Sequence, residues 1–379
     1  MSSSVIHRGA AAVLTVAALP DLFALLRQDG FQPVGPTIRD GYLVLDCLEG
    51  PDDLPRGWTT EAAAGFFRLQ RRQDEAYFGF NLGQESWKKY LYPARVPLVT
   101  ATRHDDAISF APTATSIPAY ACIGVRPCEL AAIAVQDRIL LHGPVIDPDY
   151  AARRQAALII AVDCTEADSS CFCASLGTGP AAAAGFDLAL TELCGTDGHF
   201  FLVQTGSERG ERLLTKLPRQ PVMEGQWQQA QTLVAAAAGS QTRSLATDGL
   251  PGLLYDRTEH PHWDDVAARC LSCGSCALVC PTCFCFSMAE ETDLANMTAT
   301  RWRRWEVCHN LDHSYIHGGW LRPSIKARYR QWLTHKLAAW LDQFGCLGCT
   351  GCGRCLVWCP VAIDLTAELQ ALRQPLLKE

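Results

Sequence analysis

The sequence predicts an α+β protein: an N-terminal mixed α/β domain followed by a mainly helical domain of dicluster ferredoxin-like character. Three observations carry that prediction. Short apolar strands alternate with helical patterns over the first two thirds of the chain, the composition is that of a folded globular protein, and one cysteine motif occurs twice near the C-terminus.

A length of 379 residues sets a prior of two or three domains, at about 150 residues each. Hydrophobic residues make up 48% and charged residues 19%, which excludes a disordered or low-complexity chain. Lys+Arg number 33 against 40 Asp+Glu, a net charge of -7, so a general nucleic-acid binder working through a basic surface is excluded as well. The 19 cysteines fall short of a small disulfide scaffold but exceed what inert core thiols require.

Along the chain, Met1 to Leu26 carries Arg8 and the run GAAAVLTVAAL, then Pro20 and Asp21, then FALL. The interrupted run lacks a small-residue cleavage site and reads as a strand and an amphipathic helix rather than a signal peptide. No other stretch approaches the length that crosses a bilayer, and the alanines at 235–238 are too few. A cytoplasmic location follows, where clustered cysteines mean metal or redox chemistry before disulfides. Strands are expected at YLVLD (Tyr42–Asp46), AYACIGV (Ala119–Val125) and ALIIAVD (Ala157–Asp163), and helices at Asp21–Gln28 and Glu129–Leu141. GPTIRDG, LEGPDDLPRG and LGTGP mark turns. The small, polar stretch Ala237–Gly252 places a boundary between domains 1–254 and 255–379. Beyond His260 strands are hard to find, and helices are expected at WDDVAAR, HKLAAWLDQF and DLTAELQALRQ.

The repeated motif is CLSCGSCALVCP (Cys270–Pro281) and CTGCGRCLVWCP (Cys349–Pro360), each reading C-x2-C-x2-C-x3-C-P. Three thiolates at this spacing fold around one iron–sulfur cubane, and in two-cluster ferredoxins the cysteine before proline ligates the other cluster. Cys270, Cys273, Cys276 and Cys359 are therefore assigned to a first [4Fe-4S] cluster, and Cys280, Cys349, Cys352 and Cys355 to a second. The glycines allow positive φ where the loops wrap the ligand. Four-cysteine zinc also uses C-x2-C pairs but spaces them apart, which disfavours it here. Cys346 opens a shifted register of the second motif; the Cys-Pro anchor selects Cys349 and leaves Cys346 as an unligated thiol.

Between the motifs lie Cys283 and Cys285 in TCFCF, then Cys308. His309, His313 and His317 recur every four residues and share one face if helical; lacking a carboxylate partner in register, they read as an ordinary helix face ending at Gly318-Gly319 rather than a metal site. Arg301, Arg303 and Arg304 interleaved with Trp302 and Trp305 read as a solvated helix face with its tryptophans buried, with a partner-docking patch as the alternative. In the N-terminal domain, Cys128 follows the strand Ala119–Val125 and Cys164 follows the strand Ala157–Asp163. Two consecutive strands can place both at one sheet edge, near Cys171 and Cys173. These four thiols are the expected ligands of a third [4Fe-4S] cluster, with four structural core thiols as the alternative.

No G-x-G-x-x-G after a strand, no G-x4-G-K-[ST] and no G-x-S-x-G occurs, so no flavin or NAD site is identified in this chain. Several redox centres without a catalytic constellation make an electron conduit, a non-catalytic subunit of a larger oxidoreductase.

The order of SWKKYLYP (Ser86–Pro93), IGVRPCELAAI (Ile123–Ile133), DCTEADSSCFCASLGTGP (Asp163–Pro180), the first motif running into CPTCFCF, and HKLAAWLDQFGCLGCTGCGRCLVWCPVAIDL resembles the beta subunit of cytosolic sulfhydrogenase-type [NiFe] hydrogenases. It is also similar to the electron-transfer subunit of anaerobic sulfite reductases. The resemblance implies electron relay between two kinds of partner: a flavin/NAD(P)H-linked subunit on one side, the [NiFe] hydrogenase small and large subunits on the other. In the other branch a sirohaem sulfite reductase subunit takes the place of the hydrogenase. A self-contained flavin-binding oxidoreductase is the remaining alternative. Neither nucleic acid nor membrane is expected as a partner.

Overall fold

The computed structural model describes residues 11–113, 116–195 and 198–375, so the first part of the segment beginning at Met1, with Arg8, lies outside them. Strands run β1 Ala11–Thr15, β2 Gln32–Arg39, β3 Tyr42–Cys47, β4 Trp58–Ala63, β5 Phe66–Arg71, β6 Arg95–His104, β7 Ala107–Pro112, β8 Tyr120–Val125, β9 Leu158–Val162, β10 Leu188–Gly195 and β11 Gly198–Thr205, followed by β12 Phe286–Asp293 and β13 Thr298–Trp305. The three strands expected from sequence appear as β3, β8 and β9, and the two expected helices as Leu19–Gln28 and Pro127–Leu140. The α+β class holds.

The main sheet has the order β1-β11-β10-β9-β8-β2-β3, with β10, β9, β8 and β2 parallel and the outer strands antiparallel. Parallel strands are covered on both faces, which is why all five residues of β9, LIIAV, are apolar and buried. Period-2 alternation sorts the outer strands between two layers. Leu14, Phe201 and Val203 join the large core with Leu22, Phe23 and Leu26 of the helix Leu19–Gln28, while Val13, Phe200 and Leu202 face Trp227 and Ala230 of the helix Glu224–Gly239. Beyond it, Trp263, Val266, Leu333, Leu337, Leu369 and Leu372 draw the helices His262–Arg269, Ile325–Thr334 and Leu365–Arg373 into a second core. The helices expected around the cysteine motifs therefore form. The helix after Ile325 passes through a π-helical segment, His335–Ala339, before Trp340–Phe344. Such bulges are frequent at functional sites, and this one carries Lys336.

Two readings between the motifs are corrected. RWRRW lies on β13 rather than on a helix, in a second sheet ordered β12-β13-β6-β7 that joins strands from both parts of the chain. Tertiary partners override local preference there. Arg301 and Arg304 pair with Glu290 and Glu291 of β12, Arg303 pairs with Asp147 and Asp149, and Trp302 lies beneath Arg95, 3.7 Å from its ring centre. His309, His313 and His317 share no helix: His309 lies in the turn after β13, His313 in the 3-10 turn Asp312–Ser314, and His317 between the short strands Tyr315–Ile316 and Gly319–Trp320. Asn310 competes with helix by bonding backbone locally, its Oδ1 accepting from Asp312 N at 3.3 Å, and Gly318 turns the chain at a φ of 93°. Among the described residues no helix is long and apolar enough to cross a membrane.

Candidate metal centres

Each cysteine motif is a loop of positive-φ residues followed by one helical turn, Ser275–Leu278 in the first and Arg354–Val357 in the second. At Gly274 (φ 75°) a Cβ would stand 2.6 Å from Val307, and at Gly353 (φ 73°) 2.4 Å from the Ser170 carbonyl, so both conformation and space demand glycine.

The first set converges on one cavity. Cys270, Cys273, Cys276 and Cys359 line it with Tyr329, Trp332, Ile363 and Leu365 around them, although Cys276 and Cys359 stand far apart in sequence. Backbone N–H groups point at sulfur: Ser272 N to Cys270 Sγ and Ile363 N to Cys359 Sγ, each 3.3 Å. His309 is buried with Nε2 3.3 Å from Cys276 Sγ, and burial pulls its imidazole down to about 4, so it is neutral. Cys273 is exposed, and Leu271 beside it is 61% exposed.

The second set lies deeper. Cys280, Cys349, Cys352 and Cys355 stand within electrostatic reach of one another. Lys336 Nζ donates to Cys280 Sγ at 3.2 Å and to the Gly348 carbonyl at 3.0 Å, and Thr282 Oγ1 lies 3.0 Å from Cys280 Sγ. The hydrogen bond with Cys283, and then the Lys336 charge, hold the Cys280 thiol well below its usual range. Burial pushes Cys349 up to about 12. Lys88, from the SWKKYLYP stretch, is buried and donates to the carbonyls of Leu278, Cys280 and Cys283 at 2.9 to 3.3 Å, closing the end of the first motif's helical turn. Cys346 lies in the bend beyond Phe344, three residues ahead of Cys349.

The third set also shares one cavity. Cys128 opens the helix after β8, Cys164 follows β9, and Cys171 and Cys173 come from the loop that returns to β10; all four line the space with Gly179, Gln241 and Arg354. Adjacent parallel strands put their carboxyl ends together, which gathers Cys128 and Cys164. Arg126 ties the Phe78 and Phe80 carbonyls to this end at 2.5 and 2.6 Å, Gln241 Nε2 donates to Cys173 Sγ at 3.2 Å, and burial raises all four thiols, Cys173 to about 12. This loop is clamped to the second motif, with Phe172 N bonding Gly351 O at 2.9 Å and Thr178 Oγ1 bonding Thr350 O at 2.8 Å. Arg354 is buried against Glu129 at 2.5 Å, between Cys128 and Cys352.

The second set lies between the other two. Cys355 lines the first cavity beside Cys276, and Cys352 lines the third beside Cys128 and Cys173. Zinc would require thiolates converging to about 2.3 Å from one ion. Among the described residues no three Cys, His, Asp or Glu side chains are arranged to hold a single ion. Thiols spread around a shared space fit a multi-atom cluster, and the donor chemistry, sulfur with N–H groups directed at it, fits iron–sulfur. The spacing of the cysteines does not single out Lys88, Thr282, Gln241, Lys336 or Arg354: Gln241 and Lys336 reach Cys173 and Cys280 across the fold, Thr282 and Arg354 lie two residues from Cys280 and Cys352, and Lys88 bonds the carbonyls of the first motif.

Comparison with known proteins agrees with the donor set. Residues 269–363 match the family model of the 4Fe-4S dicluster domain. The chain is 32% identical over 261 residues to the sulfhydrogenase 2 subunit beta of Pyrococcus furiosus, covering 68% of this chain and 75% of that protein. No solved structure matches. With cysteine runs that fit iron–sulfur clusters and a relative aligned over most of both chains, this protein belongs to the sulfhydrogenase beta-subunit family and is an iron–sulfur electron-transfer protein.

Proposed function

We propose that the chain relays electrons singly within a multisubunit complex, from or to a flavin- and NAD(P)H-linked subunit at one end and a nickel–iron hydrogenase catalytic subunit at the other, through three [4Fe-4S] clusters in a row. The first is held by Cys270, Cys273, Cys276 and Cys359, the second by Cys280, Cys349, Cys352 and Cys355, and the third by Cys128, Cys164, Cys171 and Cys173. The observation that carries this reading is the placement of the second thiol set, with Cys355 in the wall of the first cavity and Cys352 in the wall of the third. Chain organisation follows as domains 1–254 and 255–379, stitched together by the shared sheet of β6, β7, β12 and β13.

Each bound cluster supplies reversible one-electron transfer. The chain's residues do the rest. The glycine loops admit close backbone approach, Ser272 N, Ile363 N and His309 direct hydrogen-bond donors at sulfur, and Tyr329, Trp332 and Leu365 form the apolar wall on the inner side of the first site. Lys336 and Arg354 place buried positive charge beside the second, where it favours the more negative reduced state.

Purification of the complex from its native source tests the partners. The expected companions are a flavoprotein and a nickel–iron subunit; a sirohaem subunit would move the chain to the sulfite reductase branch. Iron and sulfide analysis of the full chain tests the centres, with three cubanes expected. Iron for two would leave Cys128, Cys164, Cys171 and Cys173 as core thiols, and none would overturn the relay.

A further inference from the structure

The helix Ile325–Thr334 and its π-helical continuation pass along two of the thiol sets. Lys336, in the continuation, donates to Cys280 Sγ of the second set, and Tyr329, about two turns earlier, lines the cavity of the first together with Trp332. Aromatic neighbours hold the Tyr329 ring, with the ring centres of Trp263, His309 and Trp332 standing 6.3, 6.3 and 5.5 Å from its own. That ring belongs to the apolar wall of the cavity, but its hydroxyl does not. The residue is 3% exposed, and among the described residues the hydroxyl has no hydrogen-bond partner. A buried hydroxyl without a partner is costly, and native interiors leave few of them. Glu368, the carboxylate within its electrostatic reach, is bonded instead by His262 Nε2 at 2.6 Å and by Arg269 Nη2 at 2.8 Å. Cys270, Cys276 and Cys355, which line the same cavity, are within that reach as well. Burial, then Glu368 and these thiols, hold the phenol well above its usual range, so it keeps its proton and remains a donor.

We propose that the Tyr329 hydroxyl donates a hydrogen bond to sulfur of the first [4Fe-4S] cluster and tunes the potential of that centre. A cluster filling the cavity brings the acceptor that the protein alone does not offer. Its sulfurs become more negative on reduction, so a donor held against them favours the reduced state and raises the midpoint. One helix then serves two centres by different means, a neutral O–H at the first and an ammonium at the second. The inference rests on the first cluster of the function proposed above, which the test reads separately.

The test uses the full cluster-bearing chain, assembled in ordinary and in deuterated buffer, with the reduced first cluster followed by deuterium electron–nuclear double resonance and by redox titration. Tyr329→Phe deletes only the hydroxyl. It is expected to keep the wild-type iron content, to lose one exchangeable deuteron coupled to the first cluster, and to lower the ratio of reduced to oxidised first cluster about fivefold at the wild-type midpoint. The second cluster should titrate as in wild type. Replacing Tyr329 by 3-fluorotyrosine, which keeps the ring and donates more strongly, should raise the same ratio. A phenol that only packs the cavity would give neither the lost coupling nor the two opposite shifts. An unchanged deuteron coupling in Tyr329→Phe, or a fluorinated chain that titrates at or below wild type, would overturn the donor; should Tyr329→Phe lose iron, the sign of the shift in the fluorinated chain decides. No first-cluster signal in the wild-type chain would overturn the cluster itself, and the donor with it.

Discussion

The two C-x2-C-x2-C-x3-C-P runs wrap their loops in the same way, with positive-φ glycines leading into one helical turn, yet the fold gives them different surroundings. The first motif has exposed Cys273, a neutral buried His309 and a largely apolar cavity wall. The second is packed under the loop 170–173 and meets two buried cations, Lys336 and Arg354. Sulfur spacing thus settles what kind of group each loop can hold, while charge, hydrogen bonds and solvent access, which set the potential, are chosen separately for each copy.

Breaking a ligand in each copy gives the largest contrast. Cys352→Ser removes a thiol from the middle site and is expected to slow electron transfer through the chain by more than about 100-fold, beyond what loss of a supporting group costs. Cys273→Ser, at the exposed edge, should alter only the first centre's spectrum and slow the passage of electrons through that end, while reduction of the other two centres from the opposite end continues. Loss of reduction of all centres from both ends in Cys273→Ser, by stopped-flow reduction and electron paramagnetic resonance, would contradict the order of the sites.

Next in size is the Arg354–Glu129 pair. Arg354→Met strands the Glu129 carboxylate, which is 1% exposed, and is expected to cost about 3 to 5 kcal/mol of stability. The double variant with Glu129→Met should recover most of it. Chemical denaturation of the cluster-bearing chain reads both, and an additive double variant would deny the coupling.

Potential separates the copies more finely. Lys336→Met should lower the second site's midpoint by on the order of 50 mV, equivalent to about 1 kcal/mol for one electron. His309→Leu, which removes a neutral donor from the first site, should shift its midpoint by less. Redox titration followed by electron paramagnetic resonance measures both, and a larger shift from His309→Leu would reverse the assignment of charge. The smallest effect belongs to Cys346→Ser, expected to leave iron content unchanged; loss of a cluster there would move the frame of the second motif by one ligand.

Much of this was legible in the sequence because it is local. The doubled motif offers eight thiols as candidate ligands through covalent spacing alone, since three ligands of a cubane fit in one short loop and the Cys-Pro step suits the fourth. YLVLD, AYACIGV and ALIIAVD became strands because an apolar run between turns has few other ways to bury itself. RWRRW and the histidine series misled for the opposite reason. Their spacing suited a helix, but the partners that decided their conformation, Glu290, Glu291 and Asp147 for the arginines and the Asn310 and Gly318 turns for the histidines, act across strands or through side chains that compete with the helix.

The α+β class, the repeat, the sulfur-rich chemistry and the family resemblance can all be read along the chain, because each is carried by residue types at short spacing. Folding in three dimensions was needed to close the cavity of Cys270, Cys273 and Cys276 with Cys359, to bring Cys128, Cys164, Cys171 and Cys173 together at the carboxyl ends of β8 and β9, and to set Lys336 and Arg354 beside the middle set. Apart from the step from Arg354 to Cys352, those contacts join residues tens to hundreds of positions apart. They exist because two hydrophobic cores and a shared sheet bring distant segments together, and no spacing along the chain encodes which buried side chain will stand beside a given sulfur.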